Sequence, residues 1–201
     1  MASAYPLLYR FGLTPWEANQ DDGPLADVLE TRPPGRALDA GCGTGRQAVS
    51  MAERGWKVTG VDGVGQALRK ARARAEAAGI AHRTTFVEGD VTDLGAVLGG
   101  DRYDLVLDVG CFHGLTEPER ATFGGWVTGH TDKDAVVLLH VVAPRSGIGP
   151  KGVSDAGVRT AFGPSWSLST TTSTTVGGGP LRGAAFRWCI LTRDAAIIEK
   201  E

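Results

Sequence analysis

Three glycines at alternate positions, Gly41, Gly43 and Gly45, constrain this chain more than any other feature. They stand in Arg36-Ala-Leu-Asp-Ala-Gly-Cys-Gly-Thr-Gly-Arg46, where Ala37 and Leu38 form a short apolar run ahead of Asp39. Glycine enters left-handed backbone without steric cost, so such a run lets the main chain turn sharply and approach a ligand closely. Helical spacing begins at once, with Ala48, Val49 and Ala52 on one face and Gly55 as terminator. The next apolar run, Lys57 to Val61, closes on an acid, Asp62. Strand, glycine turn, helix, strand, acid is the frame of a nucleotide-type binding half.

The remaining chain extends that alternation. Residues 1–24 read as irregular or helical and are rich in aromatics: Tyr5, Tyr9, Phe11 and Trp16. Thr14-Pro15-Trp16 can open a helical turn, with threonine as cap and proline at the first position. This arm either packs its rings on the core or forms a lid over a ligand, and the two are compatible. Leu25, Val28 and Leu29 predict a helix over Pro24 to Glu30, and Val64 to Ala78 predicts a longer one with Leu68, Ala71 and Ala75 on its stripe. Strands are expected at Ala37–Ala40, Lys57–Val61, Thr84–Glu88, Tyr103–Val109 and Ala135–Val142, with a short helix near Leu94 to Leu98. Thr116-Glu-Pro-Glu119 reads as a capping box opening a helix to about Val127, and Gly124 with Gly125 predicts that this helix is short or kinked. After the Gly/Pro-rich loop from Ala143 to Gly152 come a short helix, Ser154 to Phe162, and two final strands. These are Trp166 to Val176 and Ala184 to Leu191, joined through Gly177 to Pro180 as an antiparallel pair; the Ser/Thr-rich 165–177 can also be read as a mobile segment. The pattern predicts an α/β fold: an open, mostly parallel Rossmann-like sheet with a terminal antiparallel β pair and helices on both faces. One domain over 1–201 is expected, divided into an arm and helix (1–35), a binding core (36–142) and a loop with the β pair (143–201).

Totals remove other classes. A net charge of −2 offers no bulk attraction for nucleic acid or an anionic membrane. The basic run Arg69, Lys70, Arg72 and Arg74 reads as a solvated helix face. Cys42, Cys111 and Cys189 are odd in number and far apart, with no metal-ligand spacing, so a reduced cytoplasmic protein holding no metal is expected. No run approaches a membrane span, and a monomer is the default, a dimer being possible.

Spacing separates two ligand classes at the glycine loop. A dinucleotide site wants Gly-x-Gly-x-x-Gly with its pyrophosphate on the helix N-terminus. Here the glycines alternate, and Asp39 lies two residues before the first. An acid there is poor company for a pyrophosphate and suits a ligand carrying an ammonium group and a sulfonium. Asp62 can accept both hydroxyls of a ribose. Asp90 can accept from an adenine amino group, with Val91 along the ring. An isolated aspartate in a loop more often caps a turn, but three at consecutive strand ends beside a glycine loop argue for a binding site.

These residues resemble the class I S-adenosylmethionine-dependent methyltransferases. Asp39-Ala-Gly-Cys-Gly-Thr-Gly45 looks like their first motif, Val58 to Asp62 their second, Glu88-Gly-Asp-Val91 their third, and the strand with Asp108 their fourth. Thr14-Pro15-Trp16-Glu17 and Asp108-Val-Gly-Cys-Phe-His-Gly-Leu115 resemble the thiopurine, halide/thiol and tellurite-type small-molecule enzymes, with Glu17 where Asp is usual and Asn19 where Gly is common. The resemblance implies S-adenosyl-L-methionine held by Trp16, Asp39, Gly41, Cys42, Gly43, Gly45, Asp62, Gly63, Asp90, Val91 and Asp108. It implies a small acceptor (thiol, halide, phenol or heterocycle) near Tyr9, Trp16, Cys111, Phe112 and His113. Trp16 and Phe112 can turn aromatic faces to the sulfonium. His113 is open to two readings, a general base or a structural imidazole bonded to backbone, while His140, inside an apolar strand, reads as core.

Two other classes stay in view. An NAD(P)-dependent oxidoreductase shares the βαβ logic but lacks the glycine spacing and any Tyr-x-x-x-Lys pair. A non-catalytic cofactor-binding regulator would keep the loop without the acceptor site. The turn Asp108-Val-Gly-Cys111 is unlike the Asn/Asp-Pro-Pro-aromatic turn of nucleic-acid amino methyltransferases, and no basic domain is appended.

Overall fold

The computed structural model describes residues 22–146, 151–175 and 184–193. Tyr9, Trp16 and the Thr14 turn lie outside them, as does the turn at 177–180.

Seven strands form one sheet: β1 (Arg36–Ala40), β2 (Lys57–Asp62), β3 (Thr84–Glu88), β4 (Tyr103–Val109), β5 (Thr131–Val142), β6 (Trp166–Thr175) and β7 (Ala185–Arg193). Their order is β3-β2-β1-β4-β5-β7-β6. The first five run parallel, and β7 runs antiparallel to both β5 and β6. Direction of winding reverses between β1 and β4, so their carboxyl ends frame the crevice where ligands sit in open α/β sheets.

Among the described residues six α-helices accompany the sheet: α1 (Pro24–Thr31), α2 (Arg46–Glu53), α3 (Gly65–Ala77), α4 (Leu94–Val97), α5 (Glu117–Gly129) and α6 (Asp155–Phe162). Alternate residues of each strand feed two cores. Leu38, Val106, Val137 and Leu139 meet Phe123, Val158 and Phe162 from α5 and α6 on one face. Ala37, Leu105, Leu107 and Leu138 meet Leu25, Met51 and Leu68 from α1, α2 and α3 on the other. Coverage of both faces explains why β5 reads as a continuous apolar run from Ala135 to Val142.

Two expectations change. α5 runs unbroken for 13 residues from a complete capping box, in which the Thr116 amide donates to Glu119 Oε2 at 2.6 Å. Gly124 does not shorten or break it. A Cβ there would lie 2.1 Å from the Ala161 carbonyl oxygen, so glycine lets α5 and α6 touch backbone to backbone. β5 also begins earlier than its apolar run, at Thr131, because Thr131 pairs with Tyr103 and Arg102 bonds both Asp132 and the Thr131 carbonyl. Residues 166–175 form a strand, as Trp166 and Leu168 argued.

Candidate functional site

The glycine loop leaves β1 with φ of +74° at Gly41, +52° at Gly43 and +74° at Gly45, conformations that L side chains rarely adopt. Space adds a second demand. A Cβ on Gly41 would lie 2.9 Å from Cys111 Cβ, and one on Gly45 would lie 2.8 Å from Ala71 Cβ. The Val61 carbonyl accepts from the amides of Gly41 (2.8 Å) and Cys42 (3.0 Å), which pins the loop to the end of β2.

Asp62 completes that attachment. Its Oδ2 accepts from the Gly43 amide at 2.9 Å and its Oδ1 from the Val64 amide at 2.8 Å. Burial raises its pKa while these two donors lower it. Each carboxylate oxygen has a second lone-pair direction, so the bonds leave capacity for two hydroxyls. Gly63 lies exposed in the turn that follows, 3.8 Å from the Gly89 carbonyl measured from its would-be Cβ.

Asp39 is different. It is 2% exposed, and its Oδ2 is buried with no hydrogen-bond partner among the described residues. Burial, then the charges of Asp108 and Asp62, push its pKa up to about 7. An unmatched buried carboxyl oxygen is costly, and a cationic ammonium donor would both satisfy it and restore its ionised form. The residues therefore fit the amino-acid end of the sulfonium ligand that the motif implies.

Asp90 is exposed at the end of β3, with Oδ1 accepting from the Thr92 amide and hydroxyl, each at 2.8 Å. One oxygen thus caps the turn containing Val91, which is buried against the core. Asp108 is fully buried, and its Oδ1 accepts from the amides of Cys111 and Phe112, both at 3.0 Å. Burial raises its pKa to about 7 against those donors. Its geometry is that of a cap holding the turn after β4.

That cap rotates the turn so that Phe112 points inward. Phe112 is fully buried, with ring centroids 5.7 Å from Phe123 and 5.9 Å from Phe162. The expectation that it faces a sulfonium is corrected: it is a core ring. Cys42 and Cys111 stand beside the loop, and burial pushes both thiols upward, so neither is an activated nucleophile.

His113 is 5% exposed, with Nδ1 3.4 Å from the Val142 amide nitrogen and its ring edge-on to Phe186. Burial, then His140 and Arg120, lowers its pKa to about 4. His140, read from the sequence as core, is indeed buried, but in aromatic company: it stacks on Phe186 at 5.1 Å and lies 4.6 Å from Trp188. Phe186 and Trp188 were missed because β7 reaches the site only through its pairing with β5, which sets Val142 opposite Phe186 and His140 opposite Trp188. Arg46, the first residue of α2, was also passed over; it pairs with Asp22 at 3.0 Å and its charge acts on Asp39.

Among the described residues no three His, Cys, Asp or Glu side chains converge as a metal site. A groove of about 360 Å³ lies at the opposite end of the strands, lined by Arg36, Lys57, Arg83 and Tyr103 among others, and it gathers none of the candidate cofactor-binding or acceptor residues.

Residues 37–127 match a family model described as a methyltransferase domain. An uncharacterised methyltransferase of Schizosaccharomyces pombe is 35% identical over 104 residues, covering 51% of this chain and 68% of that protein. The 2-heptyl-1-hydroxyquinolin-4(1H)-one methyltransferase of Mycobacteroides abscessus is 32% identical over 103 residues; the match covers 50% of this chain and spans only 44% of that relative. Among solved structures, the Burkholderia thailandensis 1,6-didemethyltoxoflavin-N1-methyltransferase, determined with 1,6-didemethyltoxoflavin and S-adenosylhomocysteine, superposes with a TM-score of 0.73 at 21% identity, covering 96% of this chain and 91% of that one. An alternating glycine loop with its buried acid, a β3-β2-β1-β4-β5-β7-β6 sheet and these relatives converge: the chain belongs to the class I S-adenosylmethionine-dependent methyltransferases.

Proposed function

We propose that the protein transfers a methyl group from S-adenosyl-L-methionine to a small-molecule acceptor by in-line displacement. The observation that carries this reading is Asp39 Oδ2, buried without a partner among the described residues beside three left-handed glycines. When bound, the cofactor supplies an electrophilic methyl carbon on a sulfonium; the chain supplies alignment and a dry site.

Asp39 takes the ammonium group, and the backbone of the loop from Gly41 through Cys42 and Gly43 to Gly45 surrounds the amino-acid end. Asp62 accepts from ribose hydroxyls beside Gly63. Asp90 offers its remaining carboxylate oxygen to the adenine amino group, and Val91 lies along the base. Asp108 acts through the turn it caps, setting where Cys111 and His113 stand. The acceptor lies on the β4–β5 side, near Cys111 and His113, with Tyr9 and Trp16 approaching from the arm. Relatives that act on a hydroxyquinolone and on a toxoflavin precursor support a heteroaromatic acceptor. The net charge of −2 gives no footing for a nucleic-acid acceptor. Free thiols at Cys42, Cys111 and Cys189 fit a reduced, cytoplasmic setting, and a sheet shared from residue 36 to 193 supports a one-domain reading of 1–201.

Calorimetry with S-adenosylhomocysteine tests the proposal. One-to-one binding is expected, weakened about tenfold or more by Asp62→Ala, the range of lost hydrogen bonds to a charged group. No heat of binding in the parent chain, or an Asp62→Ala affinity equal to the parent's, would overturn it.

A further inference from the structure

The strands β4 and β5 end at different heights, and His113 stands in the step between them. Val109 is the last residue of β4 and pairs with His140 of β5. The Gly110 amide still reaches the His140 carbonyl at 3.0 Å, so His140 and, two residues on, Val142 direct their backbone groups toward β4. Ala143 instead donates to the Ala185 carbonyl of the β7 side at 2.9 Å. The Val142 amide therefore points into a place where β4 has already ended. His113 Nδ1 occupies it, 3.4 Å away.

A backbone amide can only donate, so Nδ1 of His113 must be the acceptor and carry no proton. Burial also keeps the ring neutral: its pKa is lowered to about 4, with His140 on β5 and Arg120 on α5 as the charged or titratable groups acting on it. A neutral imidazole with a bare Nδ1 has its hydrogen on Nε2. No hydrogen bond among the described residues uses Nε2. The one basic lone pair of this ring is already bound to backbone, and its outward nitrogen is a donor.

We infer that His113 is a hydrogen-bond donor to the methyl acceptor through Nε2–H rather than its general base, and that the acceptor is a conjugated thiol, hydroxyl or ring N–H compound acidic enough to bind as its anion. The inference deepens the methyl-transfer reading and rests on it. Two neighbouring groups at this end, Cys111 and Asp108, are not suited to take the proton. The Cys111 thiol is pushed well up by burial, and Asp108 spends its oxygens on the turn. The acceptor's proton thus goes to solvent before binding. In the transfer step a lone pair of the anion forms the bond to the methyl carbon while the carbon–sulfur bond breaks, its electron pair remaining on sulfur. The negative charge of the anion and the positive charge of the sulfonium cancel, and no proton moves. A donor on the conjugated anion orients it and favours the ionised form at binding.

Two measurements test this. Long-range ¹H–¹⁵N NMR of the S-adenosylhomocysteine complex, with His113 assigned by comparison with His113→Gln, reads the tautomer directly. A neutral Nε2–H ring from pH 8 to pH 5 is expected; an Nδ1–H tautomer, or an imidazolium at neutral pH, overturns the inference. Kinetics then use para-substituted thiophenols as acceptors. The break in kcat/KM is expected to follow each thiol's own ionisation, and His113→Ala to lower kcat/KM about tenfold to a hundredfold, the range of a hydrogen bond to an anion. His113→Gln restores an N–H donor without a base and recovers most of that loss. If Gln is as impaired as Ala and every acceptor shares one break belonging to the enzyme, His113 is the base and the inference fails. Absence of S-adenosylhomocysteine binding by calorimetry would instead remove the methyl-transfer reading, while the tautomer of the unliganded ring still reports on the Val142 contact.

Discussion

The two ends of the crevice are built by opposite means. On the β1–β2 side the groups proposed to face the ligand lie mostly within a short stretch, from Asp39 to Val64, and the contacts are backbone amides meeting carbonyls and the Asp62 carboxylate. On the β4–β5–β7 side, His113, His140, Phe186 and Trp188 come from three separate parts of the chain and meet through rings. The first end is a rigid cradle whose geometry follows from local dihedral angles. The second is an aromatic wall whose shape follows from strand register, and rings can be exchanged there without disturbing the cradle. That division lets one cofactor frame serve different acceptors.

The largest effect in breaking this contrast is expected at the cradle. Gly41→Val forces a β-branched residue into φ of +74° and against Cys111, and S-adenosylhomocysteine affinity should fall at least about a hundredfold, since strain and clash act together. Calorimetry reads it. Cys111→Gly in the same background removes the Cβ that lies 2.9 Å away, relieving the clash but not the dihedral strain, so recovery should be partial.

A second prediction uses Asp39, whose pKa in the ligand-free fold is raised to about 7 from an ordinary value of 3.8. Between those values the folded chain holds a proton that the unfolded chain has lost. This raised pKa therefore makes stability rise as pH falls from about 7 toward 4, and Asp108 contributes in the same direction. Ligand binding has the opposite sign, because an ammonium group needs the ionised carboxylate. S-adenosylhomocysteine affinity should weaken progressively below about pH 7 while the Tm of the ligand-free protein climbs. Asp39→Asn should flatten both slopes; thermal melts and titrations across pH 5.5–8 check them.

The smallest effect belongs to the acceptor wall. Phe186→Leu removes the ring stacked on His140 and edge-on to His113, and KM for an aromatic acceptor should rise a few-fold, in keeping with about 1 kcal/mol for a ring pair. Cofactor affinity should be unchanged. A matching loss at both ends would show that the two halves are not separable.

Legibility in the sequence follows the same line. The loop, Asp39, Asp62 and Asp90 were readable because each sits at a fixed offset from an apolar run, and local offsets survive folding. The strands β3 and β4 were bounded correctly for that reason. Phe112 was misread because one residue cannot reveal which way a turn faces; the Asp108 carboxylate decides that through two amides. Gly124 was misread because helix propensity is local, whereas its use, contact with the Ala161 carbonyl, depends on α6 lying alongside. Phe186 and Trp188 carry no motif, and each residue of their strand pairs with one far earlier in the chain, as Val142 opposite Phe186 illustrates.

By itself the sequence determined the class of fold and the glycine turn after β1, because hydrophobic period and glycine spacing act over a few residues and need no knowledge of distant partners. Only the tertiary structure decided the chemistry of His113. Its protonation state depends on the Val142 amide, left without a strand partner because β5 outlasts β4, and on burial among His140, Arg120 and Phe186. Those are long-range contacts, and no spacing in the chain encodes which nitrogen of an imidazole they engage.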